Sequence, residues 1–434
     1  MTSPRSLDAA VLASLAEGLC PANLAFVAAH PGESDRRQPV TVLYGGAQLF
    51  TSDAVTRLGA VARRALAQHA GDAATLAAAL GMNQADPLAA RLYDRVVAKL
   101  EHEPVEDFRI DFEDGYGNRP DAEEDGHAVS VARDVARGLA AGTLSPFIGI
   151  RVKALNEEMR ERSVRTLDLF LTALVGASGG ALPPNFVVTI PKVTIAEQVT
   201  YVVAVLERLE QALKLGAGAL RMELMVETPQ IIIDAEGRCA LPALVAAGRG
   251  RVTAAHFGTY DYTAGVGITA SHQRMRHPAC DFAKHHMQVS LAGSGVWLSD
   301  GSTSVLPVGD TAAVHAAWKL HFDDCMHSLA GGFYQGWDLH PAQLVTRYVA
   351  VFAFFLSGID AAGARLRNFV QKAAQATLVG SDFDDAATGQ GLLNYFLRGI
   401  NCGAVTEDET LAMTGLTLEE LRGRSFVRIL KARS

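Results

Sequence analysis

One alternation dominates this sequence and limits what it can fold into. Eight short β-rich runs are each followed by a helix-like stretch: "VTVLY" (40–44), "FRIDF" (108–112), "FIGIRV" (147–152), "FVVTIPKV" (186–193), "LRMELMV" (220–226), "VTAAHFG" (252–258), "VWLS" (296–299) and "FYQGWDL" (333–339). From the second run onward the start-to-start spacings are 39, 39, 34, 32, 44 and 37 residues. A (β/α)8 barrel uses roughly 31 residues per unit, more with insertions. Strands separated by helices form a parallel sheet covered on both faces. Eight such units predict an α/β chain closed into a TIM (β/α)8 barrel. An open doubly wound sheet is the alternative, but no GxGxxG follows a first strand to support a dinucleotide version.

The alternation also sets the boundaries. Residues 1–38 read as an N-terminal helical segment closed by the loop "HPGESDRRQP", and 39–358 as the barrel. The first spacing, 68 residues, leaves room for a helical insertion at about 52–104. Residues 359–434 read as a small helical C-terminal appendage. The stretch 294–310, "SGVWLSDGSTSVLPVGD", resembles a hairpin more than a plain seventh strand. "YVAVFAFFL" is too short to cross a membrane and reads as a buried helix.

Composition narrows the class. Apolar residues make up 49% and charged residues 20%, as in an ordinary globular enzyme. The net charge of −8, with no cluster of Lys and Arg, excludes a nucleic-acid footprint. Five scattered cysteines without a CxxC argue against a disulfide framework and a cysteine zinc site, and suit a reducing cytoplasm. The N-terminus lacks the long apolar stretch of a signal peptide.

In a barrel, chemistry collects where the strands end. The runs end with Asp111, Glu113 and Asp114, then Arg151, Lys192, Glu227, Asp261, and Asp338 with His340. Glu227 directly follows the apolar "LMV", where a lone carboxylate is costly. Asp261 lies 34 residues on, about one unit, which predicts two carboxylates facing one another from adjacent strands. Such a pair does not stay ionised without a cation. Oxygen ligands in a partly open site suit Mg²⁺, with Mn²⁺ close behind. A salt bridge from Glu227 to Arg151 or Lys192 is the competing reading. Arg151 beside carboxylates could clamp a substrate carboxylate or simply pair in the core. The acidic trio could be a solvated loop, His340 a capping histidine, and Asp385 a helix cap.

Taken in order, these motifs resemble the citrate lyase β-subunit/HpcH-HpaI aldolase superfamily, which also takes in malate synthases. "IDFEDGYG" is similar to "DLEDAV", "IRVK" to "VRIN", "IPKV" to "LPKV", "MVETP" to "IETP", "FGTYDYTAGVG" to "FGAEDLAADLG", and "GGFYQGWDLHPAQ" to "GFDGKWLIHPGQ". With "VTVLYGG" at the first strand, the resemblance spans residues 39–345. It implies one Mg²⁺ held by Glu227 and Asp261, and Arg151 gripping the carboxylate of a 2-oxo acid or an acyl group. Glu113 and Asp114 would order metal-bound water and Arg151, while Lys192 and His340 would contact substrate. The implied activity is that of a carbon–carbon lyase or aldolase acting on a 2-oxo acid or acyl-CoA through a metal-stabilised enolate, in a trimer or hexamer. "FDDAATGQ" is similar to the "MEDAAT" stretch of malate synthases and makes Asp385 the base of a thioester–glyoxylate condensation, the alternative activity. A barrel serving only as a binding or regulatory subunit is a further alternative. Tyr260 departs from the pattern, where the superfamily has Glu.

Overall fold

The computed structural model describes residues 6–32, 36–371, 377–379, 382–384, 386–423 and 429. Eight parallel strands close into a barrel in sequence order. They are β1 (Thr41–Gly46), β2 (Asp107–Asp111), β3 (Phe147–Arg151), β4 (Phe186–Ile190), β5 (Arg221–Val226), β6 (Val252–Phe257), β7 (Trp297–Ser302) and β8 (Gln335–Asp338). Closure is made where Thr41, Val42 and Leu43 of β1 pair with Gly336, Trp337 and Asp338 of β8. The spacing of apolar runs thus reports the architecture directly.

Ahead of the barrel lie α1 (Ala9–Ala16) and α2 (Leu19–Ala29). Between β1 and β2 run α3 (Ala54–His69), α4 (Ala73–Ala79) and α5 (Pro87–His102). The sequence specifies α5 locally. Asp86 caps its start by accepting from Leu88 N–H at 2.9 Å, and Pro87 holds the first helical position. Leu92, Val96 and Leu100 then recur every fourth residue and are buried. "YVAVFAFFL" lies in the helix Gln343–Leu356, which packs against α5 and the helix Thr311–Ala330. Beyond it come helices Ile359–Gln371, Ala386–Asn401, Glu407–Thr414 and Leu418–Gly423. The strands Thr377–Val379 and Asp382–Asp384 add an antiparallel pair to an end of the chain that reads as helical throughout.

Residues 294–310 correct the hairpin expectation. Residues 297–302 form a barrel strand, parallel to both β6 and β8. The register shifts between Ser299 and Ser302, in the polar half that continues the "VWLS" run. Asp300, next after Ser299, faces the helix layer and binds Lys284 at 2.9 Å.

The barrel interior is layered by strand parity, since alternate residues face inward. Lowest is a buried charged layer, in which Arg109 donates to Asp107 (2.9 Å) and Glu223 (2.8 Å) and His256 Nε2 lies 3.2 Å from Glu223. Above it Val42, Tyr44, Met225 and Trp337 form an apolar cluster, with the Tyr44 and Trp337 rings stacked at 4.7 Å. The next inward positions up the strands are Asp111, Arg151 and Glu227. Gly149 has no side chain because a Cβ there would clash with Arg109 Nη1 and the Val187 carbonyl.

Candidate functional site at the barrel mouth

The C-terminal ends of the strands bring Glu113, Asp114, Arg151, Lys192, Glu227 and Asp261 together. Asp111 organises one side. Its carboxylate accepts from Arg151 Nε (2.7 Å) and Nη2 (2.5 Å). It also accepts the backbone N–H groups of Glu113 (2.9 Å) and Gly115 (2.7 Å), so the loop after β2 wraps over it. Arg151 Nη1 lies 3.0 Å from Glu113 Oε2, and the guanidinium sits over the Tyr44 ring at 5.0 Å. The Nε edge of Arg151 therefore holds Asp111 rather than standing open for a substrate. Burial opposes its charge, but Asp111 and Glu113 hold it well above the ordinary arginine value.

Lys192 follows β4 with φ of 49°, a left-handed conformation unusual for a side chain of this length. This turn aims two groups at once. Its backbone N–H donates to Glu227 Oε1 at 2.6 Å. Its ammonium pairs with Glu113, lies 3.3 Å from Asp114 and 3.7 Å from Asp261. Burial works against that charge and Glu113 outweighs it, so the lysine value is raised.

Glu227 follows β5 by one residue and is 2% exposed. Gly258 lies so close that a Cβ there would stand 2.5 Å from Glu227 Oε2. Among the described residues no Lys, Arg or His side chain is within ion-pair distance of Glu227, so the competing reading, a salt bridge to Arg151 or Lys192, is not formed. Burial, then Asp261, push its carboxyl up to about 8. Asp261 is not on a strand. It lies in the first turn of the helix Thr259–Gly265, and its side chain is 40% exposed. The two carboxylates thus differ in height and in exposure, because the chain turns into a helix at Gly258.

Two cavities meet at this pair. One, of about 480 Å³, is lined by Tyr44, Asp111, Arg151, Trp337, Glu227 and Asp261 among others. The second, of about 330 Å³, lies toward Asn156, Lys192 and Thr228 and shares Glu227 and Asp261 as its wall. Among the described residues no three His, Cys, Asp or Glu side chains converge on one point. A cation here would have two protein carboxylates and otherwise water or substrate. That donor set fits Mg²⁺, which keeps several waters, and does not fit a structural zinc.

The remaining sequence candidates fall elsewhere. His340 is half-buried, and its Nδ1 accepts from Ala342 N–H at 3.2 Å, a capping role; burial lowers its value. Asp338 points away from the mouth, because Trp337 takes the inward position. It binds Arg347 and His321 (2.9 Å) in the helix layer. Tyr260 donates to Ser302 O (3.0 Å) and accepts from Ser304 N–H (2.8 Å), tying the mouth to the loop after β7. Asp385 lies outside the described residues. Sequence reasoning missed Tyr44 and Trp337 as the floor of the cavity and Asp111 as the partner of Arg151. Their inward parity in β1, β8 and β2 was the available signal.

Comparison with known proteins follows the fold. A citrate lyase from Burkholderia xenovorans LB400 superposes with a TM-score of 0.58 at 18% identity, covering 88% of this chain and 97% of that one. Haloferax volcanii malate synthase with glyoxylate gives 0.48 at 14% identity, covering 91% and 99%. The protein CitE from Mycobacterium tuberculosis, in complex with magnesium, acetoacetate and coenzyme A, gives 0.48 at 14%, covering 85% and 100%. At these identities the likeness shows the fold alone. No curated protein matches the sequence. A family model covers residues 19–429, and the chain belongs to that family, described as Domain of unknown function (DUF6986).

Proposed function

We propose that the protein is a divalent-cation-dependent enzyme that makes or breaks a carbon–carbon bond beside the carbonyl of a 2-oxo acid or acyl thioester. One observation carries the reading. Glu227 is a buried carboxylate without a cationic side-chain partner, beside Asp261, where two cavities meet at the barrel mouth. Glu227 and Asp261 would hold Mg²⁺ or Mn²⁺, which when bound supplies a Lewis acid for negative charge developing on a substrate oxygen.

The chain's own residues do the rest. Without a cation, Glu227 retains a proton at neutral pH. Its Oε1 accepts the Lys192 N–H at 2.6 Å. Arg151, fixed by Asp111, places fixed positive charge over the Tyr44–Trp337 floor, where a substrate carboxylate would lie. The floor itself keeps water from entering beneath the substrate. Glu113 and Asp114 pair with Arg151 and Lys192 at the edge of the cavity.

Calorimetric titration of metal-stripped protein with Mg²⁺, with and without pyruvate, oxaloacetate or glyoxylate, tests this. One-site binding tightened by a 2-oxo acid, and absent in Glu227→Gln, is expected. No Mg²⁺ binding under any of these conditions would overturn the proposal.

A further inference from the structure

The N-terminal helices present a surface that the described residues of the chain do not cover. Neither α1 nor α2 has a buried residue. Leu12, Leu15, Leu19, Leu24, Phe26 and Val27 are between 45% and 70% exposed. Apart from Asn23, every residue of α2 is apolar, alanines included, so the helix is apolar on all sides rather than along one stripe, the pattern of a helix that is enclosed by other structure. The arm meets the body at its root, where Gly32 N–H donates to Gly293 O at 2.8 Å. Beside that root, the helix Pro278–Leu291 exposes Phe282 (49%) and Val289 (82%), seven residues apart and so on one face.

We propose that this arm is an assembly element, buried against the arm and the Phe282–Val289 ridge of a second copy of the chain. Area supports a protein partner. The six side chains offer roughly 600 Å² of apolar surface per copy. A standard interface takes about 800 Å² from each partner, a little over half of it apolar. Charge argues against the other occupant. The two helices together have the apolar length of a bent membrane span, with a 47° break. Yet residues 6–29 contain no Lys or Arg, and include Asp8 and Glu17. An arm built for a lipid surface would carry basic residues to meet anionic headgroups. The ridge adds exposed apolar side chains on the body near the arm's root, and in the proposed contact the second copy covers Val289.

Sedimentation equilibrium of the full chain, as wild type and as the triple variant Leu15→Glu/Leu24→Glu/Phe26→Glu, reads this directly. The wild type is expected to be an assembly at micromolar concentration, and the variant to lose at least 100-fold in association. Val289→Glu, on the opposite side of the contact, is expected to weaken association at least 10-fold. A wild type that is monomeric at 10 μM overturns the proposal without any variant. An assembly whose mass and affinity are unchanged in the triple variant overturns it as well. Co-sedimentation of wild-type monomer with phosphatidylcholine/phosphatidylglycerol vesicles would assign the arm to lipid instead. None of these readings depends on the metal site.

Discussion

Replacing Glu227 by Gln should stabilise the metal-free protein, although it removes a residue from the centre of the proposed site. Burial and Asp261 raise the carboxyl from its ordinary value of 4.5 to about 8. Between those values the native state holds a proton that the unfolded chain has released. Wild-type stability therefore falls as pH rises through this window, at about 1.4 kcal/mol per unit, reaching a deficit of about 4 kcal/mol by pH 8. Glutamine does not titrate, and its oxygen still accepts the Lys192 N–H. Its amide N–H groups are new and poorly matched here, which offsets about 1–2 kcal/mol. A net gain of about 2–3 kcal/mol at pH 8 remains, roughly 2–3 °C in Tm for a chain of this length. Urea unfolding at pH 5, 6.5 and 8 in chelator measures it. The two proteins should converge at pH 5 and separate at pH 8. Adding millimolar Mg²⁺ should then raise the wild-type midpoint and leave the variant unmoved. A variant less stable than wild type at pH 8, or one that keeps the wild-type pH slope, would refute the reasoning and make Glu227 an ordinary paired carboxylate.

Two further substitutions separate the parts of the site, and a third tests the layer beneath it. Arg151→Lys replaces a planar fork that grips Asp111 through two bonds with a point charge. It should weaken pyruvate or glyoxylate binding at least tenfold by calorimetry, and unchanged affinity would remove Arg151 from the site. Lys192→Gly keeps the left-handed turn while deleting the ammonium from among Glu113, Asp114 and Asp261. Mg²⁺ affinity should rise about tenfold, as expected for one unit of local positive charge removed near an ion; an unchanged or weaker affinity would show that the ammonium does not compete with the cation. Gly149→Ala should cost about 3 kcal/mol or more, because the new methyl group meets Arg109 and the Val187 carbonyl and the core has no room to yield. Denaturation midpoints measure it, and a loss under about 1 kcal/mol would mean that Arg109 can move.

The barrel was legible because each strand is a short apolar run and each crossover needs a helix, so spacing alone counts the units. β7 was legible only in its first half, "VWLS". Its polar "SDGS" end serves Lys284 and Tyr260 rather than an apolar core, and such a stretch looks like a turn. Within the site, Glu227 announced itself by following "LMV" directly. The height of Asp261 did not, since nothing in "FGTYDY" shows that the chain turns into a helix at Gly258 before the aspartate arrives. The grip of Asp111 on Arg151 joins residues forty positions apart in neighbouring strands, and only their shared parity could have suggested it. Asp338 shows the same rule from the other side. One step in register separates a residue lining the mouth from one tied to the helix layer.

The stacked Tyr44 and Trp337 rings lie between two sets of charged groups on the barrel axis. Below them lie Arg109, Asp107 and Glu223, with burial raising Asp107 to about 6 and Arg109 helping to hold Glu223 near 2 despite its burial. Above them lie the groups that would meet a ligand. A separation of this kind lets the upper set be rewritten by mutation, its acids and bases exchanged for others, without disturbing the ion pairs of the lower set. Diversification of activity within this family would then be confined to one side of two aromatic rings.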